Sequence, residues 1–278
     1  MNIGTSVPLP AYTIDPAFMA KKAEDLGFES IWYAEHAAVP VHSDSPFPAT
    51  GGEIPWTYSH FTDPYIALAR ASGATSKIML GTGITLVPER NPLLLAKEIA
   101  SLDMLSRGRF IFGVGGGWNA EEMGNHGTNF KQRWRILREN ILAMKAIWTE
   151  EESEFHGDHV NFDKMWAYPK PVQRPHPPIL MGGDGPTTFD RVVEYCDGWM
   201  PIGGRGNSGS SLAEKIVLLK KQAEEAGRDP DSLNITSFGI RPDPDLIGRM
   251  SDAGVDRVIF TLPSQERAEV TPLIDVIT

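Results

Sequence analysis

Four helical runs in this chain open on an acidic or amide residue followed at once by proline: Asp15-Pro16, Asp63-Pro64, Asn91-Pro92 and Asp243-Pro244. The first side chain accepts a backbone N–H that the helix leaves free, and the proline, lacking an N–H, sits where none is needed. Glycines at 27, 73, 108, 227 and 254 stand where helices should stop, in the left-handed position that a side chain resists. Between the punctuated helices lie short β-type runs. Ile3–Val7, Ser30–Glu35, Ile78–Thr85, Arg109–Val114, Ile179–Met181, Gly198–Ile202, Leu233–Ile240 and Val258–Leu262 each read as a strand. Leu95, Ile99 and Leu102, and then Trp134, Leu137, Ile141, Met144 and Trp148, keep helical spacing, so those helices bury one face. Eight strands in strict alternation with eight helices predict an α/β fold, a closed (β/α)8 TIM barrel, with a doubly wound sheet as the alternative. Glu154–Asp163, with Gly157-Asp158 between two short β-like runs, predicts a β-hairpin insertion before strand 5, and a proline-rich strap (YPKPVQRPHPP) leads from it into that strand.

The length of 278 residues suits one such barrel or two average domains. No shift in composition marks a boundary, so residues 1–278 read as a single domain. Lys+Arg 26 against Asp+Glu 36 leaves a net charge of −10, and no basic block interrupts it. A nucleic-acid or anionic-membrane partner is therefore not expected. The lone Cys196, at the end of the helical stretch Phe189–Cys196, excludes an intrachain disulfide and reads as a core residue in a reducing compartment. The opening MNIGTSVPLP has neither a basic nor an apolar leader segment, and no apolar run reaches the roughly 18 residues of a membrane helix. These features predict a cytoplasmic location. No His, Cys or carboxylate grouping keeps a metal-ligand spacing, so no metal is expected.

In a barrel of this kind chemistry gathers at the C-terminal strand ends. The second strand ends in Glu35-His36, the third carries Gly81-Thr82-Gly83-Ile84-Thr85, and the fourth runs into Gly113-Val114-Gly115-Gly116-Gly117-Trp118-Asn119. The fifth ends Gly182-Gly183-Asp184-Gly185, the sixth reaches the loop Gly203-Gly204-Arg205-Gly206, and the seventh ends near Gly239 and Arg241. Glycine-rich ends facing one mouth suggest backbone packed closely on a large, flat, phosphate-bearing ligand. The 113–118 segment is no dinucleotide fingerprint, because Trp118 stands where G-x-G-x-x-G needs glycine. The 182–185 turn opens onto a helix at Thr187-Thr188, whose free N–H groups favour an anion. His36 is the candidate proton-transfer residue. Neighbouring side chains at a strand end diverge, so at most one of Glu35 and His36 points straight into the mouth. The long loop after the second strand, with His42, Trp56, Tyr58, His60 and Phe61, is expected to cover the mouth, and His156 and His159 to be solvated.

SIWYAEH, IMLGTGITLVPERNPLLLAKEIASLDMLSRGRFIFGVGGGWNAEE, FHGDHVNFD, and PKPVQRPHPPILMGG followed by DGW resemble the bacterial luciferase-like superfamily. Within it they resemble the actinobacterial branch that uses the deazaflavin coenzyme F420. The resemblance is strong over residues 1–204 and weaker beyond. It implies a bulge with a non-proline cis peptide behind the ring, around Gly83, Ile84 and Thr85. It implies that Gly115, Gly116, Gly117, Trp118 and Asn119 border the ring and ribityl chain, and that Gly182, Gly183, Asp184 and Gly185 hold the phosphate. The catalytic pair would be Glu35 and His36, with His36 near the reacting carbon. One position departs from the pattern: Trp118 stands where deazaflavin sugar-phosphate and secondary-alcohol dehydrogenases carry a glutamate. Hydride reduction of an activated C=C, imine or nitroaromatic group in a small-molecule substrate is thereby expected over alcohol oxidation. The alternatives are an FMN-dependent monooxygenase using O2 and a non-catalytic flavin- or deazaflavin-binding protein. The resemblance also implies a homodimer, and loops 37–62 and 203–210 should determine the substrate. A Schiff-base aldolase is not favoured, because no lysine ends a predicted barrel strand.

Overall fold

The computed structural model describes residues 1–7, 14–203 and 210–262. The barrel strands are β1 (Asn2–Ser6), β2 (Ser30–Tyr33), β3 (Met79–Thr82) with its short continuation β4 (Thr85–Leu86), and β5 (Phe110–Gly115). After the hairpin β6 (Ser153–His156) and β7 (Asn161–Met165) come β8 (Ile179–Gly182), β9 (Gly198–Met200), β10 (Asn234–Ile240) and β11 (Arg257–Thr261). Neighbouring barrel strands are parallel in the order β1-β2-β3-β5-β8-β9-β10-β11, and β11 returns to β1 with Asn2 beside Arg257 and Ser6 beside Thr261. This is the closed TIM barrel that the alternation predicts, with the antiparallel hairpin inserted before the fifth barrel strand, β8.

Period-two alternation divides the strand residues between two cores. Trp32, Ile111, Leu180, Met200 and Ile259 fill the barrel interior. Their neighbours Ile31, Phe110, Phe112, Ile179, Met181, Trp199, Val258 and Phe260 join the larger core under the helices. Gly81 is required by this filling, since a Cβ there would lie 2.2 Å from the Trp32 ring.

The outer helices are α1 (Pro16–Asp25), α2 (Pro64–Ala74), α3 (Pro92–Ser106), α4 (Ala120–Asn125), α5 (Arg133–Thr149), α6 (Thr188–Tyr195), α7 (Ser210–Glu225) and α8 (Pro244–Asp252). Asp15, Asp63, Asn91 and Asp243 each accept two backbone N–H groups of the first turn, as the sequence predicts. Gly27, Gly108, Gly227 and Gly254 stop their helices with positive φ. Gly73 does not; it lies within the last turn of α2, which is capped by Thr75, whose hydroxyl donates to the Ala71 carbonyl at 2.9 Å. The predicted third strand is divided at Gly83-Ile84, a cis peptide, and the sixth stops at Met200, leaving Ile202 in an isolated bridge to Phe238. Helix α4 is an element that the sequence reading does not contain. The predicted last helix and the loop residues Gly204, Arg205 and Gly206 lie outside the described residues. Among the described residues no helix is long and apolar enough to cross a membrane.

Candidate active site

At the mouth, β2 delivers Ala34, Glu35 and His36 in succession, and the side chains of Glu35 and His36 do diverge. The Glu35 carboxylate turns toward the third strand's end, where it accepts the Leu86 N–H at 2.6 Å and the Arg90 Nε–H at 2.5 Å. Arg90 also binds Asp63, the cap of α2, at 2.5 Å, and Glu98 of α3 at 3.3 Å. Burial pushes the Glu35 carboxyl up from the ordinary value, against the pull of Arg90 and the Leu86 amide. With both oxygens engaged, Glu35 braces β2, β4 and α2 together; the acid in contact with His36 is a different one.

That acid is Glu122, in the first turn of α4. His36 Nδ1 lies 2.7 Å from Glu122 Oε2, with both side chains buried. Asn119 caps α4 by accepting the Glu122 N–H at 2.9 Å, which fixes the carboxylate over the barrel end. Glu121, its neighbour, points outward to the loop after β2: it accepts from Ser43 Oγ at 2.9 Å and from the Asp44 N–H at 3.1 Å. The sequence reading missed Glu122; the one signal for it was Asn119-x-x-Glu122, a helix-start pattern after a strand. Around His36 stand Tyr58, Trp118 and Phe61, with ring centroids at 5.0, 5.6 and 6.2 Å. Tyr58 and Phe61 thus cover the mouth as expected of their loop. Trp56 of the same loop is 57% exposed and packs on His60, and His42 is exposed.

Two adjoining cavities of about 340 and 320 Å³ open here, sharing the walls Gly83, Ile84, Trp118, Gly182, Gly183 and Tyr58. The first extends toward Met200, Phe238 and Thr261, the second toward His36, Gly115–Gly117 and Trp134. They are two lobes of one mouth divided by Ile84. A third cavity, of about 430 Å³, is lined by residues of the 39–59 loop alone.

The glycines here do two different things, and the sequence reading merged them. A Cβ on Gly115 would fall 2.0 Å from Ile84 Cδ1, on Gly116 2.8 Å from Trp134, on Gly117 2.9 Å from Met123, and on Gly182 3.0 Å from Ile84. Protein side chains fill the space that those glycines free. Gly183, at φ +100, meets nothing within 4 Å, and Gly185 meets only Thr188 Oγ1 at 3.7 Å, so this turn stays open, as does Gly239 across the mouth. It faces the N-terminus of α6, where Thr187 makes no side-chain cap. Asp184 is turned away onto Lys215 at 2.5 Å, and Thr85 accepts or donates a hydrogen bond with Tyr65 at 2.8 Å, beside the mouth rather than in it. Asn119 caps α4 and donates to Ser43 at 3.1 Å.

The mouth therefore offers a bulged strand presenting Ile84 toward two largely apolar lobes, and an uncapped helix N-terminus behind an open glycine turn. The Arg191 guanidinium lies 3.8 Å from the Trp134 ring centroid and that of Arg133 lies 5.3 Å from it; among the described residues neither forms a carboxylate ion pair. A flat ring with an anionic tail fits this set. Among the described residues no group of three or more His, Cys, Asp or Glu could hold a metal ion. Cys196 is buried, and burial pushes its thiol up, which makes it a core residue and no nucleophile.

Barrel, split third strand and helix-facing turn together define the class of luciferase-like TIM barrels. The family model for luciferase-like monooxygenases matches residues 15–241, and the chain belongs to that family, as an oxidoreductase. It is 37% identical to an uncharacterized protein of Mycobacterium tuberculosis over 94% of this chain and 92% of that protein. It is 29% identical to the F420-dependent hydroxymycolic acid dehydrogenase of the same organism, over 84% of this chain and 61% of that protein. An F420-dependent secondary alcohol dehydrogenase, solved with an F420-acetone adduct, superposes with a TM-score of 0.76 at 20% identity, over 99% of this chain and 96% of that one.

Proposed function

We propose that this protein transfers a hydride between coenzyme F420 and a small organic substrate, reducing an activated C=C, imine or nitroaromatic group. The observation that carries this reading is the buried His36–Glu122 pair at 2.7 Å, opening on the cavity beside Ile84. A reduction by hydride needs one proton delivered next to the carbon that accepts the hydride, and this pair is the proton-handling group at that place. When bound, the deazaflavin would supply the hydride-bearing carbon. Ile84 and the Gly83-Ile84 peptide would back its ring, while Gly183, Gly185 and the α6 N-terminus would hold its phosphate. Trp118, Tyr58 and Phe61 wall the substrate lobe and exclude water. His36 would hold the proton at Nε2, with Glu122 fixing the ring through Nδ1. The relative named as F420-dependent supports this choice of cofactor.

A spectral titration of the apo-protein with oxidised F420 and with FMN tests it. F420 is expected to bind at least tenfold more tightly, and H36A to abolish acceptor reduction while leaving that binding intact. Tighter FMN binding with substrate-dependent O2 uptake overturns the reading in favour of a monooxygenase. Turnover unchanged in H36A, or none with any acceptor, favours a cofactor-binding protein. We also propose a homodimer. Ile66 at 68%, Leu94 at 66% and Leu105 at 68% exposure make an apolar face on α2 and α3 that a second copy would cover.

A further inference from the structure

Behind His36 the structure holds a second carboxylate that the hydride-transfer reading does not use. Glu89 ends the single 3-10 turn (Val87–Glu89) that follows β4. Its side chain is 2% exposed, and neither of its oxygens has a hydrogen-bond partner. Glu122 likewise has one oxygen on His36 and the other, Oε1, buried without a partner. Glu122 on α4 and His126, the residue that caps its end, are four apart and so lie on one side of it. Glu89 sits against that face, with its Oε2 at 3.9 Å from His126 Nε2. His126, at 28% side-chain exposure, reaches solvent. The backbone of Gly117, part of the cavity wall, lies directly over Glu89: a Cβ there would be 3.3 Å from Glu89 Oε1.

We propose that His36, Glu122, Glu89 and His126 form a proton path from the reacting end of the cavity to solvent, with Glu89 as the internal proton carrier. The path rests on the proposed hydride transfer and answers a problem that it creates. Once cofactor and substrate fill a mouth already covered by Tyr58, Phe61 and Trp118, His36 has no direct exchange with water. After His36 gives its Nε2 proton to the substrate and product leaves, a flip of its ring turns the bare nitrogen to Glu122, which passes to it the proton of Glu89, and Glu89 takes another from solvent through His126. Each transfer moves one proton and no electrons, and the hydride comes from the cofactor. The 3.9 Å step at His126 is of a length that one water or a small ring rotation closes. The charge surroundings suit the role. Burial, then the negative charges of Glu122 and Glu35, push the Glu89 carboxyl up to about 8. Arg90 opposes them, but its guanidinium is already engaged by Glu35, Asp63 and Glu98. Glu89 therefore carries its proton at neutral pH, where an exposed carboxyl would have lost it.

Two measurements on the apo-protein test the carrier without turnover. Infrared spectroscopy at neutral pH is expected to show a protonated-carboxyl band that bleaches as pH rises through about 8, is absent in E89Q and persists in E194Q, a surface control. Nitrogen-15 NMR of the histidines is expected to show the His36 and His126 resonances each responding to that same transition, and E89Q to remove both responses. With an acceptor in turnover, E89Q and H126N should each lower kcat about tenfold at unchanged KM and enlarge the solvent deuterium effect, and E89D should restore most of the rate. H126N, at a partly exposed position, keeps the test available if E89Q fails to fold. A band unchanged in E89Q, or a His126 resonance blind to the transition, overturns the path whatever the chemistry. Both apo signals as expected, with FMN rather than F420 bound, would leave the path standing and overturn the cofactor reading alone.

Discussion

Glu89 also makes a prediction about stability, and its sign runs opposite to that of an ordinary ion-paired carboxylate. The ordinary value for a glutamate is 4.5, and in the fold this one is pushed up to about 8 by burial and by the charges of Glu122 and Glu35. Between those limits the native state holds a proton that the unfolded chain has released, so raising the pH stabilises the unfolded state relative to the native one. Below 4.5 both states are protonated and the group is neutral in effect; above about 8 both are ionised and the whole cost is present. Each pH unit of displacement is worth about 1.4 kcal/mol. Linkage then gives about 3 kcal/mol of lost stability by neutral pH and about 4 kcal/mol lost between roughly pH 5 and roughly pH 8.5.

Glu89→Gln removes the titration while keeping the shape. Urea unfolding of both proteins, followed by tryptophan fluorescence across that pH range, should show the wild type losing about 4 kcal/mol more than E89Q as pH rises. The two curves are expected to converge or cross toward acid, where the buried amide has no advantage over a protonated carboxyl. The comparison uses the difference in slope, so a constant offset from the substitution cancels. Parallel curves would show that Glu89 is ionised throughout, and would refute both the electrostatic argument and the carrier role built on it.

Arg90→Met is expected to cost about 3–5 kcal/mol in thermal or urea unfolding, because it leaves the buried Glu35 charge without its partner; adding Glu35→Gln should recover part of that loss, and no recovery would refute the brace. Gly113→Ala and Gly115→Ala should separate folding from binding. The first puts a Cβ 2.0 Å from the Thr82 carbonyl oxygen, which is backbone, and is expected to abolish soluble protein. The second meets only the flexible end of Ile84, so it should fold but push that side chain into the mouth and weaken cofactor binding at least tenfold in the spectral titration. If the proposed dimer forms through the exposed α3 face, wild type should sediment as a dimer and Leu94→Glu as a folded monomer with unchanged circular dichroism; a monomeric wild type refutes it.

The barrel is legible in the sequence because its punctuation is local. An Asp-Pro or Asn-Pro start and a left-handed glycine stop are set by the chain within a few residues, and they mark α1, α2, α3, α7 and α8 between strands before any packing is known. Helix α4 escapes that reading because six residues, AEEMGN, are too few to display a helical period. The site is legible in position but only partly in role. His36 is found from its place at a strand end. The partner roles of Glu35 and Glu122 are decided by contacts 55 and 86 residues away, to Arg90 and from His36, which no local pattern carries. Adjacent acids such as Glu121 and Glu122 look alike in sequence; on α4 one is half-buried against the loop residues Ser43 and Asp44 and the other is wholly buried on His36. The glycine clusters at the strand ends mark the mouth correctly, yet several of them make room for Ile84, Trp134 and Met123, while the turn at Gly183–Gly185 and Gly239 stay open.

The two buried acid systems flanking His36 differ in a way that bears on what each is for. Glu35 has both oxygens engaged, and its partner Arg90 ties it to the cap of α2 and to Glu98 of α3, so that system is held rigidly. Glu89 and Glu122 together leave three oxygens without partners in the same small volume. A purely structural position would be better served there by an amide or an apolar side chain, since unpaired buried carboxyls cost stability and gain no contact. The cost of about 3 kcal/mol at neutral pH falls on a group lying under the cavity wall at Gly117, whose neighbour Glu122 holds the histidine that opens into the cavity. Rigid bracing on one side and a loosely held, protonatable acid on the other is the arrangement that a histidine needs if it is to keep its geometry through a reaction while its proton comes and goes.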